Sequence, residues 1–269
     1  MARHTPESAD GAWSRGRLFL LLVVVFATVV ALFFGLGVAL WASILGSGPA
    51  ERVAPHAPNA GVRGEGYRDQ LAAQPMLQVP SGAATTPSVG VERGPTMTLP
   101  EATSEGPARV QSGFPRTAEG AVAQLAAITV TVVEAMSIPV AHEVHTAWSR
   151  PGGVPAGEWA MTHNVQSFLT AAGGQDHTKD DTILVVATPV AGQVKGTDGP
   201  DWVLACVLLD VRAAIVTDAR IGYGHCERMV WTGGRWLIGP GTPPATAPST
   251  WPGSDLAIQA GWRTFEEPR

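Results

Sequence analysis

A stretch of 28 residues without a charged side chain, from Leu18 to Leu45, constrains the fold of this chain more than any other feature. A helix needs about 20 apolar residues to cross the hydrocarbon core of a bilayer, and within lipid it satisfies its own backbone hydrogen bonds. In water, a helix of this composition would have to be buried on every side. The run therefore predicts one transmembrane helix over residues 18–45.

Basic residues set the expected orientation of this helix. Arg3, Arg15 and Arg17 precede the run, whereas only Arg52 follows it closely. Cytoplasmic flanks are enriched in Lys and Arg, so residues 1–17 are predicted to be a cytoplasmic tail and the remainder to lie outside the cell (inner) membrane. A cleaved signal peptide is the alternative, but its apolar core spans only about 7–15 residues, roughly half the length of this run.

Residues 46–113 differ sharply in composition, with 9 Pro and 10 Gly in 68 residues. Tyr67 is the only aromatic residue among them. Segments of this kind bury too little apolar surface to offset the entropy lost on ordering. We therefore expect a disordered Pro/Gly-rich linker over residues 46–113, with at most a short helical turn around Tyr67–Leu77.

Residues 114–269 carry seven of the nine tryptophans and are long enough to form one hydrophobic core. The first part of this region has a helical pattern. Apolar residues recur at steps of three and four from Ala121 to Met136, after an N-cap candidate at Thr117. Two shorter helices are expected over residues 140–148 and 155–172.

The second part of the region has a strand pattern. Runs of branched and apolar residues predict strands, and Thr232-Gly233-Gly234 is a typical hairpin turn. The expected strands are 182–190, 202–211, 225–231 and 235–238, with a weaker signal at 215–217. Helices followed by strands predict an extracytoplasmic α+β domain, with helices packed on one face of a curved antiparallel sheet.

The two cysteines, Cys206 and Cys226, fall on candidate neighbouring strands. Neither belongs to a CxxC pair, so the pattern does not indicate a zinc or thioredoxin-type site. An exported domain meets an oxidising environment in which disulfides persist. We therefore name the two residues as a disulfide candidate, and the alternative is two unbonded side chains.

Histidines and carboxylates offer two weak candidates for chemistry. His142, Glu143 and His145 form HEVH, but zinc proteases use HExxH, and a third ligand would have to come from His163 or His225. A solvated helix face explains the same residues without a metal. We therefore predict no metal and no cofactor.

A second group of ionisable residues lies on the candidate strands. Asp210, Asp218, His225 and Glu227 would support acid–base chemistry if they met at the mouth of a cavity. Solvated strand-end and turn residues are the preferred explanation, so we assign no catalytic residue.

Three tryptophans near the C-terminus are candidates for contact with a partner. Trp231 and Trp236 flank the hairpin turn and are expected to face each other across the strands, which by itself stabilises a sheet. Trp251 lies in a Pro-rich segment and is the preferred contact candidate, because aromatic residues are enriched at protein interfaces.

Two segments carry a resemblance to known proteins: FPRTAEGAVAQLAAI, residues 114–128, and GHCERMVWTGGRWLIGPGTPPATAPSTWPG, residues 224–253. Three helices followed by a strand meander resemble the nuclear-transport-factor-like cone fold. The order of segments resembles that of the bitopic assembly factors of type IV secretion and conjugation systems, which have a short inner tail, one spanning helix and an outer domain of this kind. The composition is similar to that of actinobacterial membrane proteins. This resemblance implies a cone-like domain that works within a membrane complex.

The sequence thus predicts a single-pass membrane protein whose outer domain makes protein–protein contacts, in its most specific form within a conjugation or type IV secretion complex. The expected partners are membrane lipid and other membrane or secretion-complex proteins, and self-association is left open. The net charge of −5 and the lack of a basic cluster predict no nucleic-acid binding. The alternative is an exported small-ligand-binding or enzymatic domain that uses the cone cavity, and a lipid- or cell-wall-interacting protein is a third interpretation.

Overall fold

The computed structural model describes residues 62–172, 177–214 and 218–266. The predicted cytoplasmic tail (1–17) and transmembrane helix (18–45) lie outside the described residues, as does the weak strand at 215–217. The described residues form an α+β fold in which helices pack on a largely antiparallel sheet.

Five α-helices are described in the folded region. They are α1 (Glu65–Ala73), α2 (Ala118–Ala135), α3 (Ile138–Trp148), α4 (Ala160–Ala171) and α5 (Asp255–Gln259). The N-cap prediction at Thr117 is confirmed, because its side chain accepts a hydrogen bond from the Gly120 N–H. Helix α2 ends where Met136 adopts a left-handed conformation.

Most of the strands belong to one six-stranded sheet. The strands are β1 (Thr96–Thr98), β2 (Ser104–Glu105), β3 (Gln111–Ser112), β4 (Leu184–Thr197), β5 (Trp202–Ala214), β6 (Asp218–Thr232), β7 (Arg235–Ile238) and β8 (Arg263–Glu266). The sheet order is β1-β8-β4-β5-β6-β7, in which only β1 and β8 are parallel, and β2 pairs with β3 separately. Two register shifts in β4 mark bulges, which bend a strand and increase its twist.

Helices α2, α3 and α4 cover one face of this sheet. Leu125, Ile128 and Val132 of α2 are fully buried in a single core with alternate residues of β5, from Val203 to Val211. Helix α2 is also the one described helix that is long and apolar enough to cross a membrane, but 61% of its apolar window is buried inside the domain. It is therefore the core helix of this domain.

The opposite face of the sheet is covered by two segments, one that precedes helices α2–α4 in the sequence and one that follows them. Leu71 and Ala72 of α1 pack against Trp202 and Leu204 of β5. Farther along the sheet, the segment around α5 packs on Cys206 and Leu208, with Trp262 as its largest buried side chain. Strand β5 is therefore buried on both faces, which explains why its sequence is almost wholly apolar.

The prediction of a disordered linker is wrong for residues 62–113. Helix α1, strand β1 and buried Met97 and Val110 all lie in this stretch. Asp198, in the turn between β4 and β5, accepts hydrogen bonds from the Gly64 N–H and the Arg68 guanidinium, and so holds the start of α1. The composition of this segment did not predict its ordered structure, because the apolar partners of α1 are supplied by the sheet. The linker prediction stays open only for residues 46–61, which lie outside the described residues.

Candidate functional site

A cavity of about 380 Å³ lies where the helical layer meets the free edge of β6. Strand β7 pairs only with residues 229–232 of β6, so no strand of the described residues neighbours the earlier part of that edge. The C-terminal segment 239–249 closes the other side of the cavity. We call this space the His225 cavity; its main side chains are those of His145, Ser149, Trp159, Tyr223, His225 and Glu227.

Strand alternation brings three of these side chains together. Successive side chains of a strand point to opposite faces, so Tyr223, His225 and Glu227 share the helix-covered face of β6. His225 and Glu227 are buried, whereas Tyr223 is partly exposed. The register of β6 against β5 therefore fixes the spacing of a phenol, an imidazole and a carboxylate along one wall.

Glu227 is the polar centre of the cavity. Its Oε1 accepts a hydrogen bond from Trp159 Nε1 at 2.7 Å and lies 3.0 Å from His225 Nε2. The carboxylate side chain is only 10% exposed. A buried carboxylate is costly unless it is hydrogen-bonded and matched by positive charge. His225 supplies such a charge only in its protonated form.

His145, near the end of α3, lines the cavity beside the indole of Trp159, with ring centroids 5.1 Å apart. Burial lowers the pKa of His145 below its ordinary value, and the charge of Glu227 only partly opposes this shift. His145 is therefore a neutral imidazole at pH 7, able to accept a hydrogen bond as well as to donate one.

Tyr223 and Ser149 add two hydroxyl groups to the lining. The Tyr223 hydroxyl accepts a hydrogen bond from Asn164 Nδ2 at 2.7 Å, and burial raises the pKa of this hydroxyl well above its ordinary value. The Oγ atom of Ser149 is shielded from solvent and has no hydrogen-bond partner among the described residues. A buried polar atom left without a partner costs free energy, so Ser149 has unused hydrogen-bonding capacity.

Cys206 and Cys226 form a disulfide between β5 and β6, directly behind the cavity. Their Cα atoms are 4.0 Å apart, as in a directly opposed pair that exchanges no backbone hydrogen bonds. In such a pair the backbone groups point away from the partner strand, so Cys226 directs its N–H and C=O toward the free edge of β6. Gly224 and Arg228, two residues away on either side, also direct backbone groups toward this edge. The Gly224 N–H donates to Ser249 Oγ, and the Arg228 carbonyl accepts from the Gly239 N–H.

The HEVH residues do not form a metal site. Of the HEVH residues, only His145 lines the cavity. Glu143 and the possible third ligand His163 are exposed, and the Nε2 atom of His142 is buried without a hydrogen-bond partner among the described residues. Within residues 62–172, 177–214 and 218–266, no group of three His, Cys, Asp or Glu side chains is placed to hold a metal ion.

Asp210 and Asp218 do not join His225 and Glu227 at the cavity, so the less favoured acid–base grouping is contradicted for these two residues. Asp210 lies on the opposite face of the sheet, where it pairs with Arg212 and Arg220 at 3.0 Å and 2.7 Å. Burial by itself would raise the pKa of Asp210, but hydrogen bonds from the two arginines outweigh that effect and hold it below its ordinary value. Asp218 is exposed at the start of β6, far along the strand from Glu227.

The three tryptophan candidates have different environments. Trp236 is completely buried and donates its indole N–H to the Pro115 carbonyl, so its prediction as a partner contact is wrong. Trp231 faces Trp236 across the hairpin with ring centroids 5.4 Å apart and stays partly exposed. Trp251 is partly exposed, and the Arg220 guanidinium lies 4.4 Å from its ring centroid.

One end of the sheet has an exposed apolar surface on the face opposite the helices. Leu184 and Val186 of β4 are 63% and 42% exposed, beside Arg212 and Ala214 of β5. Arg220 of β6 completes this surface and connects it to Trp251. We call these residues the bare sheet end: Leu184, Val186, Arg212, Ala214 and Arg220.

Sequence reasoning named His225 and Glu227 but missed the other walls of the cavity. The sequence does not identify Trp159, Tyr223 or Ser149 as site candidates. The alternation of Tyr223, His225 and Glu227 was the available signal, because it places three polar or aromatic groups on one strand face.

Comparison with models of known protein families, with characterised proteins and with solved structures finds no match for this chain.

Proposed function

We propose that this chain is a single-pass membrane protein whose outer, cone-like domain makes protein–protein contacts within a multi-subunit complex. A conjugation or type IV secretion complex is the specific version of this proposal. The transmembrane helix is residues 18–45, the tail 1–17 is cytoplasmic, and the folded region lies outside the cell membrane.

Two observations favour the external location. The uncharged run at 18–45 has the length and composition of a spanning helix. The disulfide between Cys206 and Cys226 belongs to the class of bond that persists in oxidising compartments and is rare in the cytosol. A periplasmic or extracellular reporter fused after Arg269 is expected to be active, and activity of a cytosol-specific reporter at the same position would contradict the proposed topology.

The bare sheet end is the observation that carries the contact function. An apolar strand surface left in water is costly, and such patches typically mark interaction sites. Leu184 and Val186 provide apolar area, while Arg212 and Arg220 provide hydrogen-bond donors at the margin. Trp251, the preferred contact candidate of the sequence, borders the same surface through Arg220.

Site-specific photo-crosslinking in intact membranes tests this proposal. A photoreactive residue at Val186 is expected to capture other membrane or secretion-complex subunits, identified by mass spectrometry. Val62 is a matched control, because it is also an exposed valine, 65% accessible, but lies against Gly199 in the turn at the opposite end of β4 and β5. Equal and non-specific products from both positions would contradict the contact function.

A second candidate function, binding of a small ligand, is favoured by the His225 cavity. Its volume falls within the range of about 300–1,000 Å³ typical of ligand sites. Its lining also contains the carboxylate of Glu227 and the imidazoles of His145 and His225, which are polar groups that can fix a ligand.

A further inference from the structure

The charge balance of the His225 cavity is the starting point for identifying its ligand. Among the described residues, Glu227 has no Lys or Arg partner, and His225 is the ionisable side chain that contacts its carboxylate. Arg228 follows Glu227 in β6 and also lines the cavity, but its guanidinium pairs with Asp69 at 2.6 Å and donates hydrogen bonds to Thr242, so its charge is already matched. Arg150 is exposed at the cavity margin and donates to the Thr232 hydroxyl. The buried carboxylate therefore favours a cationic ligand and disfavours an anionic one.

Aromatic rings surround this carboxylate. The indole of Trp159, the phenol of Tyr223 and the imidazole of His145 all line the cavity. Cations bind favourably near the faces of such rings, especially where water is partly excluded. Because burial lowers the pKa of His145, this ring does not add a competing positive charge at pH 7.

The cavity also has acceptors for several N–H donors. A primary ammonium carries three donors and no acceptor. Glu227 offers its carboxylate, His145 offers a ring nitrogen, and the Cys226 carbonyl points toward the free edge of β6. A guanidinium or a quaternary ammonium would match these scattered acceptors less well, because the first is a planar fork and the second has no N–H group.

We infer that the His225 cavity binds a primary alkylammonium group, with Glu227 as its counter-ion and Trp159 and Tyr223 as its aromatic walls. This inference rests on the second candidate function and names its ligand class. The ammonium has two chemical sources, a lysine side chain presented by another protein and a free small amine.

Isothermal titration calorimetry on the full-length protein in detergent tests the inference. The ligand is n-butylamine, protonated at pH 7.5, and the controls are 1-butanol and butyrate, which match its chain length without the positive charge. Saturable binding of butylammonium, with neither control binding, is the expected result. Equal binding of 1-butanol, preferential binding of butyrate, or no saturable heat up to about 10 mM ligand would overturn the inference, since a Kd near 1 mM would already be detected.

The variant Glu227→Gln separates charge from shape. Glutamine keeps an acceptor for the Trp159 N–H, so the fold is expected to survive, and the loss of the charged partner should weaken butylammonium binding roughly 10- to 100-fold. Glu143→Gln is the matched control, because Glu143 is an exposed carboxylate on α3 outside the cavity. Unchanged affinity in folded Glu227→Gln would overturn the role of Glu227, and the comparison of ligands on the unmodified protein stands even if this variant does not fold.

Two further ligands distinguish the sources of the ammonium. Nα-acetyl-lysine methylamide binding as tightly as butylammonium supports a lysine side chain of another protein. Exclusion of this blocked lysine, with retained binding of 1,4-diaminobutane, supports a free amine. Failure of all amines leaves the crosslinking test of the bare sheet end unaffected, so the two proposals fail separately.

Discussion

Replacement of Asp198 by asparagine is expected to release α1 from the sheet. Asp198 is almost completely buried, and its carboxylate accepts hydrogen bonds from the Arg63 and Gly64 N–H groups and from Arg68. Burial by itself would raise the pKa of Asp198, but these hydrogen bonds outweigh it and hold the pKa below its ordinary value. The folded state therefore favours the ionised form, whose charge asparagine removes.

The magnitude follows from the number and type of these contacts. Hydrogen bonds to a charged group contribute about 1.5–3 kcal/mol each, and asparagine retains one side-chain acceptor. The Arg68 side chain is 26% exposed, so water screens part of its interaction with Asp198. We expect a loss of about 2 kcal/mol, which corresponds to a roughly 30-fold larger population in which α1 is undocked.

Hydrogen exchange measured by mass spectrometry checks this prediction. Amides of Glu65–Ala73 should exchange roughly 30-fold faster in Asp198→Asn, whereas amides of β5 should change little if α1 opens locally. Asp201→Asn is the control, because Asp201 lies in the same turn but forms a half-exposed pair with Arg116. Exchange in α1 that is equal in the two variants would refute the assignment of Asp198 as the anchor of this helix.

Three other perturbations have expected outcomes. Replacing Cys206 and Cys226 together by alanine should lower the free energy of unfolding by roughly 3 kcal/mol in denaturant titrations, because the bond closes a loop of about 21 residues; an unchanged midpoint would contradict this. Trp236→Ala should lower the free energy of unfolding by about 3–5 kcal/mol, since this side chain is fully buried. Trp231→Ala should lower it less, because Trp231 is partly exposed. The reverse order of the two losses would be inconsistent with the packing. Because the pKa of His145 is lowered in the folded state, the unfolded state binds a proton more readily, and stability falls as the pH drops below about 6.5. The variant His145→Gln should flatten this pH dependence in thermal melts from pH 7.5 to 5. An unaltered slope would argue against this role of His145.

The two surfaces described above suggest a division of roles within one domain. The bare sheet end and the His225 cavity lie on opposite faces of the sheet, because Arg212 and Arg220 point away from the helices while His225 and Glu227 point toward them. Both surfaces involve β6, and the disulfide fixes this strand to β5 between them. Crosslinking and calorimetry therefore test separate parts of the molecule.

Local patterns were sufficient to predict the main elements of the fold. The three- and four-residue steps of α2, the Thr117 cap and the Gly-Gly hairpin between β6 and β7 are properties of neighbouring residues, and the structure contains each of them. The continuous apolar run of β5 predicted a strand, which is also observed. These features depend on contacts that lie within a few residues along the chain.

Other features depended on contacts between distant residues. Residues 62–113 have the composition of a linker, yet Leu71 is buried because β5, more than 100 residues later, presents an apolar second face. Asp210 was grouped with His225 by its type, but strand alternation and register place the two on opposite faces. The sequence by itself determined the main helices and strands between Thr117 and Ile238, because backbone propensity and periodicity are local. Only the tertiary structure decided which segment covers the second face and which side chains share a cavity, since both depend on pairing across the sheet.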